Sequence, residues 1–137
     1  MRLWHYKLIP VLPNKMLVSQ WRECIAIKRQ WEKGTLKHRL VSYVTKYSRL
    51  TFVDYVFRVS SEMDKRKIKY KKSYLTEFLD FAGLTTLDMN YVEHNDRYLK
   101  QCCYNLQEKY DRGIITEEEW QKIFETCIDI ITERNYK

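Results

Sequence analysis

Apolar residues recur at three- and four-residue steps in several stretches of the chain, the interval at which one face of an α-helix returns. The first stretch holds Leu17, Trp21, Cys24, Ile25 and Trp31. With Asn14 as an N-cap and Gly34 as a stop signal, it predicts a helix over 14–32 with those five residues as its buried stripe. A second helix is expected over 36–46. A third is expected over 52–67, where Phe52, Val56, Val59 and Met63 line one face and Thr51 stands as the cap. Ser73 can cap a short helix ending before Gly83. A longer helix is expected over 95–111, closed by Gly113, with Tyr98, Leu99, Cys102 and Leu106 facing inward. The last opens on Thr116-Glu117-Glu118-Glu119, a capping box, and carries Trp120, Ile123, Phe124, Cys127 and Ile131 on one face.

Both prolines, Pro10 and Pro13, lie near the start and only three glycines are present, so little downstream interrupts a helix. The expected fold is all-α, a single compact helical domain of about five to six helices over 1–137, in which 114–137 is an additional C-terminal helix. A chain of 137 residues is long enough for one hydrophobic core and short for two. Its 11 Tyr, 5 Phe and 4 Trp exclude a disordered composition. No apolar run approaches the ~20 residues that span a bilayer, and the opening Met1-Arg2-Leu3-Trp4-His5 lacks the apolar stretch of a secretory signal. Cys24, Cys102, Cys103 and Cys127 show no CxxC spacing, and the adjacent pair cannot easily bridge itself. Reduced thiols and a cytoplasmic location, nucleoid-associated when acting on DNA, are expected.

Charge narrows the function. The formal net charge is +7, but residues 1–80 hold 18 Lys and Arg against 7 Asp and Glu, net +11, while 81–137 hold 7 against 11, net −4. A basic surface of this kind suits a polyanion, whose condensed counterions are released on binding. The run Lys65-Arg66-Lys67-Ile68-Lys69-Tyr70-Lys71-Lys72 is similar to a nucleic-acid patch. Such charge runs are more often solvated linkers, so it is read as auxiliary. There is no Gly-rich phosphate loop and no paired-histidine zinc motif, and His5, His38 and His94 are far apart in sequence, so neither a metal, a nucleotide nor another cofactor is expected. What remains is an acid in a basic setting. Lys15, Arg22 and Arg29 fall seven apart on the first helix and share a stripe, with Glu23 at its margin. Alone, an Arg-Glu pair on a helix reads as surface charge.

Its context changes that reading. The run from Leu8 to Glu23, with Leu8-Ile9-Pro10-Val11-Leu12 leading into a helix that reaches Trp21-Arg22-Glu23, resembles the opening of the pyrimidine-dimer DNA glycosylase family, the endonuclease V-like enzymes. Met1-Arg2-Leu3-Trp4-His5, Arg22-Glu23-Cys24, Leu36-Lys37-His38, Tyr43-Val44, Glu93-His94-Asn95-Asp96, Tyr98-Leu99, Cys102, Asn105-Leu106 and Glu108-Lys109 look like the cellular branch of that family. The resemblance spans about residues 1–113.

The resemblance implies a compact helical enzyme acting on damaged double-stranded DNA; a monomer is expected. In such enzymes the N-terminal α-amine attacks C1′ of the damaged nucleotide, forms a Schiff base and nicks the strand by β-elimination. An α-amine suits this because its reference pKa, about 7.7–8.0, leaves a neutral fraction near pH 7 that lysine lacks. By position Met1 is the nucleophile and Glu23 the carboxylate that stabilises the cationic sugar and assists proton movement. Arg2 matches the family's second-position arginine and Arg22 one that holds the damaged strand. The next family arginine is replaced by Ala26, for which Lys28 or Arg29 substitutes. Lys109 aligns with a basic residue near the DNA, and Lys37 and Arg39 beside His38 point to a phosphate contact there. His5 either sits near the amine or is a buried structural histidine. The aromatic tail found in the family's phage branch has no counterpart in Arg134-Asn135-Tyr136-Lys137, so the lesion is not carried over. The alternatives are a non-catalytic helical nucleic-acid-binding protein of the same fold, and an interaction protein that docks a partner through its acidic last helix.

Overall fold

The structure, a computed structural model, describes residues 1–87 and 90–135, with side chains as far as Asp129. Every regular element among the described residues is helical, so the fold is all-α as expected. Five α-helices, α1 (Asn14–Glu32), α2 (Arg49–Lys65), α3 (Ser73–Ala82), α4 (Asp96–Asp111) and α5 (Glu117–Asn135), are joined by loops and two 3-10 helices, Tyr6–Val11 and Ser42–Lys46. No helix among the described residues is long and apolar enough to cross a membrane. The chain divides into two compact units, one of Met1–Leu3 with Lys15–Tyr91 and one of Trp4–Asn14 with Val92–Lys137.

The first unit holds most of α1 together with α2 and α3. Leu17, Trp21, Cys24 and Ile25 are buried as expected, but Trp31 is only half-buried, its ring edge-on to Phe81 at 5.2 Å. Gln20, Ile27 and Lys28 are buried as well, so α1 is enclosed over a wider arc than a simple apolar stripe. Phe52, Val56, Val59 and Met63 form the inner face of α2 as predicted, and Phe52 meets Phe78 of α3 at 6.3 Å between ring centres. Burying one such phenyl ring contributes about 1.5–3 kcal/mol.

Two boundaries differ from expectation. In place of a helix over 36–46 there is an extended and turning segment ending in the 3-10 helix Ser42–Lys46. Val41, Val44 and Thr45 are β-branched and lose χ1 freedom in an α-helix, and Leu36 and Leu40, although four apart, are not turned into the core. The cap of α2 is Ser48 rather than Thr51: the Ser48 side chain accepts a hydrogen bond from the Thr51 N–H at 3.3 Å. A hydroxyl three residues ahead of a free N–H satisfies it, whereas Thr51 lies inside the first turn and is buried.

The second unit is built from the first 3-10 helix, α4 and α5. Asn95 caps α4, its Oδ1 accepting from the Tyr98 N–H at 2.9 Å. The predicted capping box closes reciprocally at α5: Thr116 N–H donates to Glu119 Oε1 at 2.9 Å and Glu119 N–H to Thr116 Oγ1 at 3.2 Å. Leu8, Ile9 and Leu12 are buried, as are Leu99, Cys102, Cys103 and Leu106 of α4 and Ile123 and Cys127 of α5. Tyr98, Trp120 and Phe124 are half-buried, with Trp120 stacked on Tyr110 at 5.5 Å. Ile131 lies outside the described side chains. The inner face of α5 is thus core, packed on α4 and the 3-10 helix.

The expectation of four reduced thiols is corrected. Cys103 and Cys127 form a disulfide between α4 and α5, their Cα atoms 6.6 Å apart, while Cys24 and Cys102 are free and buried. Neighbouring residues on a helix diverge by about 100°, so Cys102 and Cys103 cannot face the same partner. The pairing joins residues 24 apart in sequence and has no local spacing signature. His5 takes the structural reading. It is buried, caps the first 3-10 helix by accepting from the Lys7 N–H at 3.1 Å, and stacks on His94 at 5.6 Å. Burial holds its pKa below the ordinary histidine value; a hydrogen bond with the His94 backbone opposes this, the charge of Lys7 adds to it and that of Asp96 opposes it.

Candidate active site

Residues three apart on an α-helix lie on one side of it, and α1 places Gln20 and Glu23 in that relation. Gln20 is fully buried. Its Nε2 donates to the carbonyl oxygen of Arg2 at 2.9 Å and to Oε2 of Glu23 at 3.2 Å, and its Oε1 accepts from the Tyr55 hydroxyl of α2 at 3.0 Å. A primary amide has two N–H donors and one carbonyl, so each of its polar atoms is engaged. Because one nitrogen bonds both acceptors, the Arg2 carbonyl and the Glu23 carboxylate lie at most about 6 Å apart. Leu3, fully buried, anchors the same end of the chain. The Arg2 backbone is therefore fastened beside the helix carboxylate by a buried side chain, which is itself oriented by Tyr55.

Glu23 is half-buried, and Arg22 next to it is exposed. Lys15 and Arg29 are exposed too, so the stripe predicted from seven-residue spacing does face solvent. Arg29 reaches the Tyr74 hydroxyl at 3.5 Å. Lys28 does not join the stripe. It is 7% exposed and its ammonium is paired with Glu32 at 2.7 Å, so of the two residues expected to replace the missing arginine only Arg29 is open to a phosphate. The reason is angular: Lys28 lies about 100° from Arg29 and turns into the packed side of α1.

Lys37 and His38 are exposed in the loop after α1, where the Leu40 N–H donates to His38 Nδ1 at 3.3 Å. Lys109 is half-exposed in the last turn of α4, in the second unit. Cys24, although adjacent to Glu23, is not a nucleophile: burial, and then the neighbouring carboxylate, push its thiol far above the usual range. Among the described residues no group of three His, Cys, Asp or Glu side chains is placed so that it could hold a metal ion.

Sequence reasoning missed Gln20 and Tyr55. A signal was present, since Gln20 is a polar residue inside the arc formed by Leu17, Trp21 and Cys24. A buried amide must find partners or lose about 1–3 kcal/mol. What periodicity does not convey is which partners it finds, because Arg2 lies 18 residues away and Tyr55 35.

The family model described as pyrimidine dimer DNA glycosylase matches residues 1–76. That span contains Met1, Gln20, Glu23 and Tyr55, while Lys109 and the similarities noted between Glu93 and Lys109 lie beyond it. Neither the curated proteins nor the solved structures provide a match. With more than half of its 137 residues matched, in the part that ties the N-terminus to Glu23, the chain belongs to the pyrimidine dimer DNA glycosylase family.

Proposed function

We propose that this protein excises pyrimidine dimers from duplex DNA and then nicks the strand, using the α-amine of Met1 as nucleophile and Glu23 as the assisting carboxylate. The observation that carries this reading is the single amide nitrogen of Gln20 held by both the Arg2 carbonyl and Glu23. A nucleophile and its carboxylate gain rate from being held together before substrate arrives.

In the proposed sequence the neutral amine attacks C1′, and the electron pair of the glycosidic bond leaves with the base, which takes up a proton. The amine loses its protons as the sugar ring opens, leaving an imine between the chain and C1′. Glu23, as carboxylate, stabilises the positive charge that develops on the sugar. Loss of a C2′ proton then expels the 3′ phosphate, and water hydrolyses the imine to release the enzyme. Arg22 and Arg29, exposed along one stripe, supply phosphate contacts, with Arg2, Lys37 and His38 as further candidates from the same unit; Lys109 is a candidate by its family match alone. Reaching C1′ inside a duplex requires kinking or nucleotide extrusion, which costs a few kcal/mol and less at a lesion.

Borohydride reduction of mixtures with three duplexes tests this: one with a cis-syn dimer, one with an abasic site, one undamaged. The expected result is a covalent adduct with the first two, mapped by peptide mass to Met1. Tight binding with no adduct would replace the reading with the non-catalytic binder, and an adduct on a lysine would remove Met1 from its role.

A further inference from the structure

The run 65–72 is not a solvated linker. Tyr70 packs on Trp21 of α1 at 4.8 Å, and its hydroxyl donates to Asp64 at 3.1 Å. Lys72 pairs with Asp64 at 3.0 Å and stands 5.0 Å from the centre of the Tyr70 ring. Arg66 pairs with Glu62 at 2.9 Å. The backbone turns sharply at Lys67, whose φ is +60°, and the Ile68 N–H closes on the Met63 carbonyl at 2.9 Å. Tyr74, at the start of α3, continues the surface: it lies edge-on to Trp21 at 6.3 Å, receives Arg29 and has the Lys71 ammonium 5.9 Å from its ring centre.

The two acids at the end of α2, Glu62 and Asp64, are thus each committed to one cation. Lys65, Lys67, Lys69 and Lys71 are exposed, and among the described residues none of them has an ion pair. Holding four uncompensated ammonium groups on a fixed turn costs self-repulsion that a polyanion would relieve. The tyrosines join this turn to Arg29, and so to the exposed stripe of α1. On α1, Trp21 and Glu23 are about 200° apart, with Arg22 between them.

We propose that Lys69 and Lys71, held in place by Tyr70 and Tyr74, form a phosphate-binding edge for the DNA backbone flanking the lesion, on the far side of the arginine stripe from Glu23. The proposal rests on the glycosylase reading for the identity of its ligand, but its test does not require catalysis. Removing one lysine–phosphate pairing makes the slope of log affinity against log salt shallower by about 0.9. Lys69→Ala with Lys71→Ala should therefore reduce the slope for an undamaged duplex by about 1.8, and its disadvantage against wild type should shrink about twelvefold between 50 and 200 mM salt.

The comparison variant removes the same charge elsewhere, Lys100→Ala with Lys122→Ala, and should leave the slope within about 0.5 of wild type. An unchanged slope in the first variant, or an equal change in both, would overturn the proposal. A changed slope in a protein whose wild type excises nothing would leave the edge standing and remove the glycosylase reading; normal excision with an unchanged slope would do the reverse.

Discussion

The two units use opposite means. The first holds 17 Lys and Arg against 8 Asp and Glu, net +9, and devotes core space to the polar contacts of Gln20 and Tyr55. The second holds 8 against 10, net −2, and is secured by a disulfide, a side-chain cap on α4 and a reciprocal capping box on α5. Buried hydrogen bonds add modestly to stability when satisfied and cost more when broken, whereas staples and caps act on stability directly. The first unit is organised to place groups, the second to stay folded.

The largest effect that would sharpen this contrast is on chemistry. Glu23→Gln should lower single-turnover base release by about 10²–10⁴-fold while DNA affinity changes less than threefold. Base release that survives the change would end the assignment of Glu23 as the working carboxylate. For the second unit, reducing Cys103–Cys127 should destabilise the fold by about 3 kcal/mol, the loop-closure value for residues 24 apart, measured by urea unfolding with and without reductant. An unchanged midpoint would mean that the caps and apolar core suffice.

Gln20→Leu probes whether the first unit's polar core is for placement. It removes the hydrogen bonds to the Arg2 carbonyl, Glu23 and the Tyr55 hydroxyl, and should cost about 1–3 kcal/mol of stability. On the proposed mechanism, excision in the folded protein should fall by about 10²-fold, because the Arg2 backbone is no longer tied to Glu23. If stability falls and excision does not, the network is structural only. The smallest effect is in pH. The folded state lowers the pKa of His5 below 6.5, so the unfolded chain binds the proton more readily. Its contribution is present in full above about pH 6.5 and is lost as pH falls toward the lowered value. The thermal midpoint of His5→Asn, which keeps a capping acceptor, should therefore depend less on pH between 7 and 5 than that of the wild type.

Much of the fold was legible because its signals are local. The limits of α1, the caps at Asn95 and Thr116 and the stops at Gly34, Gly83 and Gly113 all rest on contacts within a few residues. The helix expected over 36–46 is absent because β-branching at Val41, Val44 and Thr45 outweighs the favourable length and spacing of the segment. Lys28 was misplaced because a charged residue on a packed face looks like one on an open face until its neighbours are known. Charge also marked residues 65–72 without showing that Tyr70 and Tyr74 fix them to α1.

The sequence by itself determined that the chain is helical, where most helices begin and end, that its basic charge is gathered in the first part, and that Glu23 sits in a familial setting. The first three follow from periodicity, capping or composition, and the last from the resemblance of the surrounding motifs to a known family. Only the tertiary structure decided that Gln20 joins Arg2 to Glu23, that Cys103 faces Cys127, that Lys28 is committed to Glu32, and that a lysine run becomes a fixed edge. Most of these contacts join residues far apart in sequence, and all depend on which way each helix face is turned once the core has packed.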